Sequence, residues 1–422
     1  MKGQSVVDTI KEIFRIITEN SVDIKKWIID ITEGKIPPIY SSHDIRNSGY
    51  KVSAVDANAF PAGFNNLCEN SLTISSKALK EYIATYYPDA KKILLILEEH
   101  TRNPFYMENA YTLKQIIKNA GFETLCATLS DTYREAETAS NKILQLHPLS
   151  VESSKVRVDD FIPDLIISNN DFSAGKPEKL LNIAQPVIPP PEMGWYRRRK
   201  SEHFKIYCNL AEDFGKKYSV DPWLISGFYD YQDEINFRKK IGFEEAGKKI
   251  DSLINKIQKK YKEYGINDKP FVFIKNNSGT YGMAVMIADS GESFVSMNRA
   301  TQNKMSIGKS KITVSSVIIQ EGIPTTDMLD GKVAEPLFYF IGNKPVGGFF
   351  RFHSERDKTQ SLNVRGMSFA YDSLCPEETG FFSVSGKSNV TIEKIKVYEF
   401  AGILSTAAQT IELLNIQNER KK

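Results

Sequence analysis

Between Lys51 and Pro186, strand-length apolar runs alternate with helix-period stretches, and this alternation limits the fold more than any other feature of the chain. KKILLILEEH (91–100) reads as a buried strand bounded by charges, and ETLCATL (123–129) and PDLIISNND (163–171) read as two more. KVSAVDANAF (51–60) reads as extended. SSKALKEYIATYY (75–87), MENAYTLKQIIKNAG (107–121) and DTYREAETASNKILQL (131–146) carry the helical period, the second closed by Gly121. The β-α-β-α order predicts an α/β layer: a mostly parallel sheet with helices on both faces. In such sheets ligands sit beyond the carboxyl ends of the strands, where the polar loops here are 98–106 and 168–177.

The flanks differ in texture. Val6, Ile10, Ile13 and Ile17 repeat at helical spacing, and a second helix is expected from about Val22 to Thr32. QPVIPPPEMGW (185–195) interrupts the chain, because consecutive prolines cannot sit inside a helix or a central strand. Two helical stretches follow, 197–218 and 243–265. From Phe271 onward short strands and turns take over, ending in a helix near Phe400 to Leu414.

Lys+Arg 55 against Asp+Glu 52 leaves a net charge of +3, so there is no bulk electrostatic case for nucleic acid. The basic run WYRRRK (195–200) fits a rim for small anions more simply than a nucleic-acid face. Cys68, Cys126, Cys208 and Cys375 form no CxxC pair and read as free thiols in a reducing compartment. Apolar runs such as Ile93 to Leu97 are too short to span a bilayer, so no membrane partner and a cytoplasmic location are expected. His43, His100, His147, His203 and His353 lack metal-binding spacing, which argues against a zinc site.

The most chemically suggestive stretch is FVFIKNNSGTYGMAVM (271–286), where an apolar strand stops on Lys275 and turns through Gly279 and Gly282. Backbone N–H groups in a glycine loop converge on an anion, and a lysine adds a point charge for phosphate oxygens. A β-hairpin with Lys275 at its mouth is the plain alternative. The segment is neither a Walker A loop nor a dinucleotide fingerprint: the Gly-Lys-Ser at 308–310 follows Asn303 where the first glycine is required. Downstream come Lys304, a strand ending in Gln320-Glu321-Gly322-Ile323, two strands joined by the Asn343-Lys344 turn and carrying Glu335 and Arg351, then Asn363 and Arg365.

That order resembles the nucleotide site of ATP-grasp enzymes. Longer stretches resemble the proteobacterial ATP-grasp type of glutamate–cysteine ligase. They are IPPIYSSHDIRNSGYKVSAVDANAFPAGFNNLC (36–68), EEHTRNPFY (98–106), PPPEMGWYRRRKSEHF (189–204), KNNSGTYGMAVM (275–286), NKMSIG (303–308), VIIQEGIPT (317–325), VAEPLFYFIGNKPVGGFFR (333–351) and SLNVRGM (361–367). Asn276-Asn277-Ser278, Glu192-Met193 and Ala284, where a glycine is expected, depart from the family pattern.

The resemblance implies an N-terminal Rossmann-like parallel-sheet domain, 1–195, that contributes amino-acid binding. It is followed by an ATP-grasp domain of two α+β subdomains, 196–422, with a helical lead-in over 196–265. It implies ATP-dependent ligation of glutamate, through γ-glutamyl phosphate, to the amine of cysteine, the first step of glutathione synthesis, with Mg²⁺ as cofactor. Another carboxylate–amine ligase, or a nucleotide-binding protein without turnover, are the alternatives. Phosphate handling falls to Lys275, Lys304 and the backbone of Ser278, Gly279, Thr280, Tyr281, Gly282 and Met283, and adenine binding to Gln320, Glu321, Gly322 and Ile323. Arg351 is expected at the transferring phosphoryl group, with Glu335 and Asn363 as metal ligands. Two amino-acid substrates need opposite charges and neutral hydrogen bonds. Arg46, Arg102, Arg198, Arg199, Asp56, Asn58, Asn65, Asn66 and Asn103 lie in the matching stretches.

Overall fold

The computed structural model describes residues 9–99, 103–279, 282–309, 312–377 and 382–420. In chain order the elements are α1 (Thr9–Glu19), α2 (Ser21–Thr32), β1 (Tyr40–Asn47), β2 (Val52–Asn58), α3 (Glu69–Tyr86), β3 (Lys92–Ile96), α4 (Pro104–Asn119) and β4 (Glu123–Thr128). Short strands follow: β5 (Arg134–Glu137), β6 (Ile143–Pro148), β7 (Ser150–Glu152), β8 (Lys155–Arg157), β9 (Leu165–Ser168) and β10 (Val187–Ile188). Then come α5 (Lys200–Tyr218), β11 (Tyr229–Gln232), α6 (Phe243–Tyr264), β12 (Val272–Asn276), β13 (Val285–Ala288), α7 (Gly291–Val295), α8 (Arg299–Met305) and β14 (Val317–Glu321). The chain finishes with β15 (Met328–Leu329), β16 (Lys332–Ile341), β17 (Lys344–Phe352), β18 (Ser368–Pro376), β19 (Phe382–Val384) and α9 (Ile392–Arg420).

Three larger sheets organise the molecule. One has strand order β10-β9-β3-β4-β6-β5, parallel except at the β5–β6 pair, as the alternating pattern predicts. A second has order β11-β14-β12-β13 and is antiparallel. The third is antiparallel, with order β19-β18-β17-β16-β1-β2 and β15 alongside β16. Its β1 and β2 come from the first sixty residues and its other strands from the last hundred, so the two ends of the chain share one layer.

Side chains alternate across this third sheet. Ile45, Phe338, Phe340 and Phe350 pack into a core with Ile13 of α1, Phe214 of α5 and Leu404 of α9. On the other face Leu337, Tyr339 and Phe349 join Leu79 of α3, Leu113 of α4 and Ile93 of β3. The polar residues of that second face build the site described below. Burying a Leu or Phe side chain is worth roughly 1.5–3 kcal/mol, so the two clusters fix the sheet between its neighbours.

Three expectations are corrected. Among the described residues the parallel sheet carries helices on one face only, α3 and α4, while its other face is packed by Leu149, Val156, Phe161, Phe172 and Leu180 from strands, loops and a short turn. The stretch 131–146 is not a helix but the pair β5–β6: Ser140 and Asn141 turn the chain, Asn141 with φ 60°, and Ala136, Leu144 and Leu146 are buried at strand spacing. Ala136, Ala139, Ile143 and Leu144 fit the helical spacing while Leu144 and Leu146, two apart, fit a strand, and pairing of β6 with β4 and β5 decides between them. The four cysteines are not all free: Cys68, just before α3, is joined to Cys375 on β18, with Cα atoms 6.0 Å apart, while Cys126 and Cys208 are free. No local spacing could reveal a pairing across 307 residues. Among the described residues, no helix is long and apolar enough to cross a membrane.

Candidate functional site

β12 runs through the middle of its sheet and ends beside the first half of the chain. Between β1 and β2 the register slips: Asp44 pairs with Asp56 but Ile45 pairs with Ala54, which leaves Val55 as the extra residue of a bulge. A bulge frees a carbonyl that the ladder would otherwise use. The Lys275 ammonium at the end of β12 donates to that Val55 oxygen at 3.0 Å. Burial pulls the Lys275 ammonium down to about 8; Asp56 opposes the shift, while Lys200 and Arg46 reinforce it.

Around this contact lies a first chamber, lined by Asp44, Arg46, Val55, Asp56, Lys200, Lys275, Gly279, Gly282, Met283, Gln320, Glu321, Ile323, Glu335, Arg351 and Asn363. A second chamber, about 560 Å³, opens beside it, lined by Ser42, Asn58, Gly63, Asn65, Asn66, Asn103, Tyr106, Asp171, Trp195 and the wall of β16 to β18. Asp44, Asp56, Arg351 and Asn363 line both. The two chambers therefore meet at a charged neck.

The neck is a chain of buried ion pairs. Glu335 on β16 stands opposite Arg351 on β17, and its Oε1 accepts from Arg351 Nε at 2.9 Å. Its Oε2 accepts from Arg46 Nε at 2.7 Å. Arg351 also donates to Asp44 Oδ2 at 2.5 Å. Burial would raise the Glu335 carboxyl, but Arg46 and Arg351 hold it below its ordinary value; the Asp44 carboxyl is raised by burial, with Asp56 and Glu335 adding to the rise against Arg351. Asp56 bonds Lys200, and although burial pushes its carboxyl up, Lys200 and Lys275 hold it at about 2.

The glycine loop leaves β12 through Asn276 and Asn277. Asn277 is wholly buried and fastens the loop: it accepts from the Ser201 N–H at 2.9 Å and donates to Ser316 Oγ at 3.0 Å. Those two contacts give Asn277, within a stretch that departs from the family pattern, a fastening role. Ala284, where a glycine was expected, has φ 51°, the left-handed conformation that glycine adopts most readily. Gly282 is required: a Cβ there would lie 2.0 Å from the Asn363 carbonyl oxygen. Thr280 and Tyr281 lie outside the described residues, as does Arg102.

Other expected residues divide clearly. Gln320 lines the first chamber, and its buried Oε1 has no hydrogen-bond partner. The Glu321 carboxylate is not free for a ligand: it takes Lys51 Nζ at 2.9 Å, Trp223 Nε1 at 3.0 Å and the Phe228 N–H at 2.9 Å. Gly322 donates its N–H to Phe271 O, and Ile323 O accepts from Arg46. Lys304 is exposed on α8 and lines neither chamber. Ser278 is held by Asn276 and also lies outside the first-chamber lining.

Arg46 sits in the first chamber, committed to Glu335 and the carbonyls of Ile323 and Gln360. Arg198 is buried away from both chambers, gripping Glu412 of α9 with bonds of 2.7 and 3.0 Å and donating to Ala57 O at 2.8 Å. Arg199 donates to Arg197 O and Arg198 O and also lines neither chamber. Asn103 lines the second chamber while its side chain caps α4, accepting from the Phe105 and Tyr106 N–H groups. Asn58, Asn65 and Asn66 line the same chamber.

Residue-by-residue reading missed Asp44, Lys200 and Lys309. Alternation from Arg46 along β1 points to Asp44, since residues two apart share a face. Lys200 ends the basic run before α5 and carried no separate signal. Lys309 ties the segment after α8 to Glu98 at 2.7 Å and Asp171 at 2.8 Å, in the two loops that follow β3 and β9.

Taken together, the site offers a first chamber whose four cations, Arg46, Lys200, Lys275 and Arg351, are matched by Asp44, Asp56, Glu321 and Glu335, joined at the buried Arg351 to a larger, partly apolar chamber. That arrangement suits transfer of a phosphoryl group to a carboxylate and then attack by a second substrate. Comparison with known proteins agrees. The model of the family described as GshA, glutamate-cysteine ligase, matches residues 15–413. The crystal structure of a protein assigned, by inference, as a gamma-glutamylcysteine synthetase from Methylobacillus flagellatus KT is 33% identical, with TM-score 0.87 and 98% of each chain covered. A glutathione synthetase-like effector from Globodera pallida (9% identity, 82% of this chain and 78% of that one, TM-score 0.39) is too remote to carry an argument. The same holds for D-alanyl-alanine synthetase A from Vibrio cholerae (9%, 77% and 99%, TM-score 0.28). No curated protein matches. With the family model covering nearly the whole chain and a structural relative matching end to end, this chain belongs to the glutamate–cysteine ligase family.

Proposed function

We propose that the cleft joins the γ-carboxylate of glutamate to the amine of cysteine by way of γ-glutamyl phosphate, with ATP in the first chamber and the amino acids in the second. The observation that carries this reading is Arg351, which lines both chambers and is held by Asp44 and Glu335 at the neck between them. A carboxylate is a poor electrophile, and phosphorylating its oxygen creates the leaving group. The protein's part is to position the reactants and neutralise charge, and it needs no nucleophile of its own.

Lys275, Lys200 and the Gly279–Gly282 loop hold the phosphates, and Gln320, with its unpartnered buried oxygen, suits the adenine amino group. Arg351 steadies charge on the phosphoryl group as it passes to glutamate. Cysteine's neutral amine then forms the C–N bond while the C–O bond to phosphate breaks, the phosphate leaving with the electron pair and taking up the proton that the nitrogen gives up. Asp56 and the amides of Asn58, Asn65, Asn66 and Asn103 supply partners for the α-ammonium and α-carboxylate groups. Residues 1–195 thus furnish most of the amino-acid chamber and 196–422 most of the nucleotide chamber.

Mg²⁺ takes few protein ligands beside substrate phosphates and keeps several waters. Among the described residues no cluster of three His, Cys, Asp or Glu is placed to hold a metal. Glu335 has both oxygens taken, Oε1 by Arg351 and Oε2 by Arg46, so of the two expected ligands Asn363 alone presents a donor to the chamber, and a bound cation would be held chiefly by phosphates. When bound, Mg²⁺ supplies charge neutralisation at the phosphates.

The test is to incubate the pure protein with ATP, Mg²⁺, glutamate and cysteine. Phosphate and dipeptide should form together, and only when both amino acids are present. Phosphate release indifferent to cysteine, with no dipeptide, would overturn the reading.

A further inference from the structure

One wall of the second chamber is apolar, and its make-up follows the register of one sheet. Glu335 pairs with Arg351 across β16 and β17. The next pair on the same face, Leu337 with Phe349, stands two residues along, about 7 Å further on a strand that rises about 3.4 Å per residue. Phe369 on β18 pairs with Arg351 and meets the Phe349 ring edge-on, with centroids 5.3 Å apart. Leu337, Phe349 and Phe369 all line the chamber. The Tyr339 hydroxyl beside them donates to Ala62 O. Away from this wall the lining is mixed: Asn58, Asn65, Asn66, Asn103 and Asp171 stand among Phe60, Phe105 and Trp195.

We propose that the Leu337–Phe349–Phe369 wall receives the thiol-bearing side chain of the acceptor amino acid and is what selects cysteine over its hydroxyl counterpart. The inference rests on the ligase reading above and deepens it. Glutamate is charged at both ends: its γ-carboxylate belongs at Arg351, and its α-groups need the polar residues of the chamber. The acceptor's amine must reach the same carbonyl carbon, and its side-chain sulfur lies only three bonds from that amine. A group so placed falls one register step beyond Arg351, on the Leu337–Phe349 pair. A thiol behaves as a small hydrophobe and sits well against aromatic edges. A hydroxyl placed there loses water without gaining a partner.

The experiment compares kcat/KM for L-cysteine, L-2-aminobutyrate and L-serine in the wild type, Leu337→Thr and Phe369→Asn. In the wild type, 2-aminobutyrate should fall within about tenfold of cysteine, and serine about 100-fold below it. In either variant the cysteine-to-serine ratio should shrink to about tenfold, with a higher KM for cysteine and KM for glutamate and ATP within about twofold of wild type. Leu337 is buried and its variant can lose fold, whereas Phe369 is half-buried, so the Phe369 variant carries the test alone if needed. An unchanged cysteine-to-serine ratio overturns the inference, most directly if the KM for glutamate rises instead, since the wall then holds glutamate's methylenes. A wild type that ligates none of the three amines is a separate result: it overturns the ligase reading and this inference with it.

Discussion

Lys275 donates its ammonium to the carbonyl of Val55, joining the end of β12 to the one bulged position between β1 and β2. The bond reaches across 220 residues and sets a cation at the point where the nucleotide chamber begins. Burial at that point makes the cation sensitive to pH.

Burial lowers Lys275 to about 8, from an ordinary value of 10.5. The group is charged below that pH and neutral above it. ATP affinity of the free enzyme should therefore weaken by about tenfold between pH 7 and pH 9.5, as a charge-assisted hydrogen bond is lost. Lys275→Arg, which keeps its charge, should flatten the profile. Equilibrium titration with ATP across that range is the check, and a flat wild-type curve would remove Lys275 from phosphate binding.

Arg351 is a buried arginine rather than a strand-surface one, so its loss has two effects. Arg351→Ala strands Asp44 and Glu335 without their shared partner, and breaking a buried pair of this kind costs about 3–5 kcal/mol. Arg351→Lys keeps the charge but not the fork that reaches two carboxylates. It should melt between the alanine variant and the wild type, while kcat falls on the order of a hundredfold or more. Melting curves beside steady-state kinetics separate the two, and a Lys variant with unimpaired kcat would place the phosphoryl contact elsewhere.

Arg198 and Glu412 form a buried pair that lines neither chamber. Burial alone would raise the Glu412 carboxyl, but Arg198 and His203 pull it to about 2, below its ordinary 4.5. A lowered folded-state value stabilises the fold above the unfolded value. That contribution is complete above about pH 4.5 and is lost as pH falls toward 2. Arg198→Met should lower stability by about 3–5 kcal/mol at neutral pH and leave KM for all three substrates unchanged in the folded enzyme. Denaturant unfolding and substrate titrations test this; a selective rise in one amino acid's KM would return Arg198 to the substrate site.

Gly282 lets the glycine loop lie against Asn363, since an added Cβ would meet that carbonyl oxygen at 2.0 Å. Gly282→Ala should raise KM for ATP by about tenfold with a much smaller effect on KM for cysteine, because a displaced loop loses charge-assisted bonds to phosphate. An equal effect on every substrate would mean that the loop serves the fold rather than the nucleotide.

How much of this could be read from the residues alone follows from the range of the interactions. Strand and helix periods pointed to the parallel sheet, and the turn near Asn343 put Glu335 and Arg351 on adjoining strands, because both signals are local; that the two stand opposite each other depends on the Gly342-Asn343 turn and a bulge at Tyr339/Phe340, which no local signal marked. Lys275 stood out for the same reason: a charge closing an apolar run. Whether an arginine faces a ligand or a partner is decided by distant chain. Arg46 meets a glutamate 289 residues away and Arg198 one 214 residues away, and nothing near either position announces it. Glu321, expected at the adenine, is taken by Lys51 and Trp223, whose own surroundings gave no hint of that contact. The helix expected over 131–146 failed because the segment fits two periods and only its pairing in the sheet chooses between them.

The central claim is that glutamate is activated at Arg351 before cysteine attacks. The most direct measurement supplies ATP, Mg²⁺ and glutamate with hydroxylamine in place of cysteine, and quantifies γ-glutamyl hydroxamate against ADP. Hydroxamate should accumulate in step with ADP, and Arg351→Lys should cut its rate on the order of a hundredfold. Cysteine-dependent ligation in the same preparation without any hydroxamate, or full hydroxamate formation by Arg351→Lys, would contradict it.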